Sequence, residues 1–185
     1  DVIGEITNEA ARETGLLAGT PVICGGGDGS CAGVGVGCVA PGTAYNYLGS
    51  SSWVALTVEK PIVDEQRRTM NWAHVVPGML HPSGTMQAAG SSYNWMINQL
   101  CQNEQALAAQ SGRSVFELID EQIIASPIGA NKLLFLPYML GERTPRWNVD
   151  AKGAFIGLTL GHKHGDMLRA VMEGVTLSLI HISEP

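Results

Sequence analysis

Apolar positions along this chain switch repeatedly between a period of two and a period near 3.6. The opening segment "TNEAARET", Thr7 to Thr14, has the polar-rich spacing of a short helix, and Gly15 is placed to end it as a left-handed residue. "GTPVIC", Gly19 to Cys24, then reads as a buried strand. "GSCAGVGVG", Gly29 to Gly37, predicts a helix of very small residues, a poor helix in isolation that implies a closely packed neighbour. "APG", Ala40 to Gly42, marks a turn and a boundary between two lobes.

Beyond that turn the period drops to two. "TAYNYLGSSSWVALTV" predicts strand, tight turn and strand, with Tyr45 and Tyr47 on one face and Trp53 and Ala55 sharing one across the turn. "RTMNWAHVVPGMLHPSG" predicts a second hairpin, turning at Pro77-Gly78. From Ser92 the spacing becomes helical, with Tyr93, Met96, Ile97 and Leu100 on one stripe. A further helix starts at Ser114, whose partner Glu117 completes a capping box ahead of Leu118, Ile119 and Ile123. "KLLFLPY" predicts a strand stopped by Pro137, and "GAFIGLTL" another. A last helix begins near Asp166 and carries Leu168, Val171, Met172 and Val175. Helices interleaved with strands predict an α/β fold, with the first forty residues in a different lobe from the rest.

The final nine residues, "LSLIHISEP", break the helical period, because Ile180 and Ile182 alternate with His181 and Ser183. They are also the translation of a common sequencing-library adapter, which predicts a non-native tail over 177–185. A natural ragged tail is the alternative. Asp1 stands where an initiator methionine is expected, so the chain reads as an internal piece.

Composition narrows the function. The 185 residues are 45% apolar and 15% charged, as in a globular protein, and the formal net charge is −6. That charge argues against a nucleic-acid or anionic-membrane surface, which needs a basic patch. No apolar run is long enough to span a bilayer as a helix. Cys24, Cys31, Cys38 and Cys101 form no C-x-x-C pair and read as reduced thiols, which points to a cytoplasmic protein. The five histidines form no ligand cluster.

Asp28 is the first candidate for chemistry. It follows three glycines where a strand gives way to a helix, and ligands in open α/β sheets gather at the carboxyl ends of strands. A carboxylate left bare in this way can take a proton from a hydroxyl. The other reading is an N-cap aspartate. Gly27 to Ala32 also fits a loose G-x-G-x-x-A dinucleotide pattern, but the acidic residue due about twenty positions on is missing, and no G-x-x-x-x-G-K-[ST] loop exists. "LGSSSW", Leu48 to Trp53, offers N–H groups and hydroxyls to phosphate oxygens, or is an ordinary polar turn. "AAGSSYNW", Ala88 to Trp95, sets Gly90-Ser91 at a helix start, either an anion-binding end or a plain serine cap. In "LPYMLGERTPRWN", Glu142 and Arg143 lie between prolines and read as a structural clamp.

The order of these segments is more specific than any one of them. "GTPVICGGGDGSCAGVGVGCVAPGTA", "YLGSSS", "QAAGSSYNW", "LFLPYMLGERTP" and "KGAFIGLTLGHKHGDMLRAVMEGV" together resemble the FGGY family of carbohydrate kinases, and within it the xylulokinases, from about Val2 to Thr176. The resemblance implies the actin-like, ribonuclease H-like sugar kinase fold. Residues 1–40 would close its N-terminal lobe, and 41–176 would form most of its C-terminal, nucleotide-binding lobe. It implies ATP and Mg2+ as cofactors and D-xylulose as acceptor, with gluconate, ribulose or glycerol as alternatives. Asp28 would be the catalytic base. Gly49, Ser50 and Ser51 would be a phosphate turn, with serine where threonine is usual. Gly90 and Asn94 would lie beside the nucleotide, and Gly27 and Gly29 would flank the substrate. The first phosphate loop, the magnesium-associated aspartate and the adenine loop would lie outside this chain, making it inactive alone. A homodimer is one option for the full-length protein. The alternative from another class is a non-catalytic sugar- or nucleotide-binding relative, which has no need of Asp28.

Overall fold

A computed structural model of the chain describes residues 1–183. The first part holds β1 (Val2–Glu5), α1 (Asn8–Thr14), β2 (Pro21–Ile23) and α2 (Asp28–Gly35). β1 and β2 pair antiparallel. Gly15 ends α1 in the left-handed region, at φ 76°, and its N–H returns to the Ala11 carbonyl, as the sequence predicts. β1 was not expected. At four exposed residues it shows no alternation to read.

The rest is built on a four-stranded antiparallel sheet in the order β3-β4-β6-β5, from β3 (Ala44–Leu48), β4 (Ser52–Leu56), β5 (Met70–Ala73) and β6 (Leu80–Met86). Both predicted hairpins are present, and β6 joins them by pairing with β4 and β5. Then follow α3 (Gly90–Leu100), α4 (Gln102–Ser111), α5 (Val115–Ala125), the short pair β7 (Leu134–Leu136) and β8 (Ala154–Ile156), and α6 (His164–Ser183). The capping box of α5 is formed: Ser114 Oγ accepts from Phe116 N, and Ser114 N–H donates to Glu117. α4 was missed because it buries no residue and carries no apolar stripe; its helix-favouring Gln, Glu and Ala residues hold it. The "GAFIGLTL" strand stops at Ile156. Gly157 turns the chain at φ 90°, so close to Lys132 that a Cβ would lie 2.8 Å from its carbonyl oxygen.

The main core joins α3, α5, α6 and β7 through Met96, Ile119, Phe135, Leu168 and Val171. The start of α6 is pinned by Asp166, which accepts from Ser126 Oγ at 2.6 Å, Asn131 Nδ2 at 2.9 Å and Lys163 N at 2.8 Å. Those donors, the Lys163 N–H first, hold its carboxyl below the ordinary range. The period-two reading of the tail is corrected: α6 continues through Ser183. Val175 and Leu179, one turn apart, pack on Met86, Ala89 and Val54, and that helical spacing outweighs the local alternation. Glu184 and Pro185, the end of the predicted foreign tail, lie outside the described residues. Among the described residues no helix is long and apolar enough to cross a membrane.

α2 is tied to the large sheet by polar contacts. Ser30 Oγ donates to Ala73 O at 2.8 Å, and Cys38 O accepts from Thr57 Oγ1 at 3.1 Å, with His74 Nε2 also at 3.1 Å.

α6 crosses β7 where Gly174 leaves no room: a Cβ there would lie 2.3 Å from the Phe135 carbonyl oxygen. Gly174→Ala should therefore destabilise the chain by about 1–3 kcal/mol through overpacking. Urea unfolding reads this, with an unchanged midpoint as the contrary result.

Candidate active site

Asp28 is the first residue of α2. The cap is Gly27, extended at φ −61° and ψ 148°, with no side chain to offer, so the N-cap reading of Asp28 is corrected. The carboxylate is exposed, and its Oδ1 accepts the N–H of Gly29 at 2.8 Å. Its other oxygen stays open to a ligand.

One hydroxyl holds this turn in place. Tyr45 Oη donates to Gly29 O at 2.6 Å and accepts from Trp53 Nε1 at 3.0 Å. His81 Nε2 lies 3.3 Å from the same oxygen. The tyrosine proton is spent on Gly29, so this contact needs the proton on Nε2, which leaves the buried Nδ1 without a partner. Burial, aided by nearby His74, lowers the His81 pKa and keeps the ring neutral. Burial likewise raises that of Tyr45.

Across from Asp28 stands the turn between β3 and β4. Gly49 N–H closes it onto Ser51 O at 2.9 Å. The start of α3 docks on the turn: Gly90 N–H donates to Gly49 O at 2.9 Å and Ser91 N–H to Ser50 O at 3.0 Å. A Cβ on Gly90 would lie 2.5 Å from Gly49 O. The first N–H groups of α3 are thus consumed by the turn rather than free for an anion, and its N-cap is Ala89, not a serine. The N–H groups and hydroxyls of Ser50 and Ser51 have no partner among the described residues.

Between the two lies a cleft of about 540 Å³, lined by Asp28, Ser51, Trp53, Trp72, His81 and Arg143 with smaller neighbours. Of the predicted residues, Gly27, Asp28, Gly29 and Ser51 line it. Gly49, Ser50 and Gly90 form the joint behind Ser51. Asn94 is exposed on the next turn of α3 and does not line the cleft. Trp53, Trp72, His81 and Arg143 were not singled out for the site. Their only sequence signal was an aromatic or charged residue on a strand or loop facing the sheet that follows Asp28.

The Glu142–Arg143 loop departs from expectation in part. Glu142 is only 4% exposed and does clamp, but through the backbone: its carboxylate accepts from Arg143 N at 2.7 Å and from the Gln87 N–H. Glu142 and Asn148 exchange backbone bonds at 2.9 and 3.0 Å, and Thr144 N–H reaches Thr85 O at 3.2 Å. No Glu142–Arg143 ion pair forms among the described residues; Arg143 lines the cleft instead. Burial pushes the Glu142 carboxyl up to about 7, against the two N–H donors.

With this geometry in place, comparison with known proteins decides the kinship. The model for the C-terminal domain of the FGGY family of carbohydrate kinases matches residues 44–185. The chain belongs to the FGGY family. It is 37% identical over 178 residues to a xylulose kinase of Staphylococcus epidermidis, covering 96% of this chain and 34% of that protein. It is 30% identical over 183 residues to a gluconokinase of Bacillus subtilis, covering 97% and 35%. The crystal structure of ligand-bound xylulose kinase from Lactobacillus acidophilus superposes with a TM-score of 0.83 at 26% identity, over 99% of this chain and 35% of that one. This FGGY chain therefore spans about a third of the length of its relatives, and its architecture is that of the actin-like sugar kinases.

A buried carboxyl raised toward 7 binds its proton more tightly when folded, so its contribution is full below the unfolded value and lost as pH rises toward 7. Glu142→Gln removes this titration. The wild type should lose stability relative to the variant between pH about 4.5 and about 7. Parallel melting-temperature profiles across that window would contradict the assignment.

Proposed function

We propose that the protein carrying this chain is an ATP-dependent sugar kinase whose acceptor is D-xylulose. The observation that carries the kinase reading is the facing pair in one cleft, a lone exposed carboxylate, Asp28, and Ser51, the cleft-lining end of the turn Gly49-Ser50-Ser51, whose serine donors are unspent; the similarity to xylulose kinase supports the acceptor. Asp28 accepts the proton of the sugar hydroxyl. The freed oxygen forms a bond to the γ-phosphorus, the bond from that phosphorus to the β–γ bridging oxygen breaks, and ADP leaves with the electron pair. Ser50 and Ser51 hold phosphate oxygens. Gly49 and Gly90, in contact with each other, keep that turn in shape, and Asn94 lies on the nucleotide side. Gly27 and Gly29 leave the substrate free access to Asp28. Residues 1–40 belong to the sugar-side lobe and 41–176 to the nucleotide-side lobe.

Magnesium fits this site in a limited way. The described residues hold no cluster of three acidic, histidine or cysteine ligands, and Asp28 is the one carboxylate lining the cleft. Mg2+ binds through one or two carboxylates plus substrate phosphates and water; with Asp28 reserved as the proton acceptor, its protein ligands would be supplied by residues other than those of this chain. When bound, the ion neutralises charge on the phosphates. Gluconate is the second acceptor, favoured by the similarity to the Bacillus subtilis gluconokinase.

In the full-length enzyme, Asp28→Asn should lower sugar-dependent ADP release by roughly 10²–10⁴-fold while pentulose binding persists. Retained turnover would remove the base from Asp28. The isolated 185-residue chain should release no ADP with pentuloses, and clear turnover by it would show that the missing elements are not required.

A further inference from the structure

The cleft holds a cation that the proposed chemistry has not used. Arg143 is exposed and lines the same cavity as Asp28 and Ser51, with no ion pair or hydrogen bond to its guanidinium among the described residues. Arg68 pairs with Asp64, Arg113 with Glu121 and Arg169 with Glu173; Arg12, Arg67 and Arg146 are exposed without an ion pair among the described residues, but Arg143 is the arginine that lines this cleft. His81, the imidazole in the cleft, is buried and already engaged by Tyr45.

The loop presenting Arg143 is also unusually fixed. Its own N–H is held by the buried Glu142 carboxylate at 2.7 Å, and that carboxylate also takes the Gln87 N–H. Thr144 N–H bonds Thr85 O. Thr85 and Met86 are the β6 residues that pair with Trp53 and Ser52, immediately after the phosphate turn. A buried carboxyl group thus holds the backbone of Arg143 and of Gln87, both on the cleft that Ser51 lines with its side chain unpaired. Holding a carboxylate out of water is costly unless its donors are well placed, which makes this an expensive way to position an arginine with nothing to bind.

We infer that Arg143 binds the phosphoryl group in flight, from the nucleotide to the sugar, and then the phosphate monoester of the product. This rests on the kinase reading above. A transferred phosphoryl spreads negative charge over three equatorial oxygens, and Ser51 offers it only neutral donors. A guanidinium presents a planar fork of N–H groups that matches two of those oxygens. Arg143 forms and breaks no bond; the proton goes to Asp28 and the electron pair leaves with ADP. Glu142 is a positioning residue that acts through the Arg143 backbone.

The test uses the full-length enzyme with Arg143→Ala and Arg143→Lys. For the alanine variant, kcat should fall about 10²–10³-fold, the usual cost of losing one transition-state charge partner. Affinity for xylulose 5-phosphate should fall at least tenfold, while affinity for xylulose stays within threefold. Free guanidinium should restore part of the alanine variant's rate, and the lysine variant should sit between the two. A kcat within threefold of wild type overturns the inference. So does a loss of xylulose affinity equal to the loss for its phosphate, which would make Arg143 a sugar contact. If the wild type shows no sugar-dependent turnover, the kinase reading has failed rather than this one. Inorganic phosphate titrated against the fluorescence of Trp53 and Trp72 then decides: saturable binding by wild type and not by Arg143→Ala supports the arginine as a phosphate site, and equal behaviour of the two rejects it.

Discussion

A single phenol oxygen sets where the carboxylate of this protein stands. Tyr45 belongs to the first strand of the large sheet, yet its hydroxyl donates to the carbonyl of Gly29, the residue after Asp28, and takes the indole N–H of Trp53. With His81 on the same oxygen, three side chains of one sheet converge on the first turn of a helix from the preceding segment. The small residues of α2 permit this approach: a Cβ on Gly33 would already lie 3.2 Å from the Tyr45 ring. Glycine is therefore used on two sides: around Asp28 it leaves the carboxylate open outward, and at Gly33 it lets the helix lie close to the sheet inward.

A second close approach builds the opposite wall. Glycine at position 90 lets α3 start against the turn at Gly49, and the carbonyls of that turn satisfy the first N–H groups of the helix. A helix start is commonly regarded as an anion site because those groups are orphaned. Here they are used to brace the turn, and the unspent donors are displaced onto Ser50 and Ser51. The two walls are fixed by different bonds, side-chain hydroxyls on backbone carbonyls at the Asp28 turn and backbone on backbone at Gly49, and in both a glycine allows the close approach.

The loop at Glu142 adds a third fixed point. Its carboxylate sits in a dry position with one oxygen unpartnered, an arrangement that works against stability as the group ionises. Proteins keep such groups where geometry matters more than stability, and this one holds the backbone of Arg143 and Gln87, which line the cleft.

The sequence by itself determined most of the elements and the place of the acid. Alternation marked both hairpins, a 3.6-residue stripe marked α3, α5 and α6, and the capping box fixed the start of α5, because these signals are local and each repeats within one element. Asp28 was legible for the same reason, as a lone carboxylate in a run of glycine. α4 has no apolar stripe to announce it, although its local helix propensity suffices to form it. Two things were decided only by tertiary structure. The helix through Leu177–Ser183 holds because Val175 and Leu179 find Met86 and Ala89, residues about ninety positions away. The split between Glu142, turned in, and Arg143, turned to the cleft, depends on β6, whose Thr85 carbonyl takes the Thr144 N–H. Adjacent charges look alike in a sequence; which one is buried follows from what packs above them, and that information lies in distant residues.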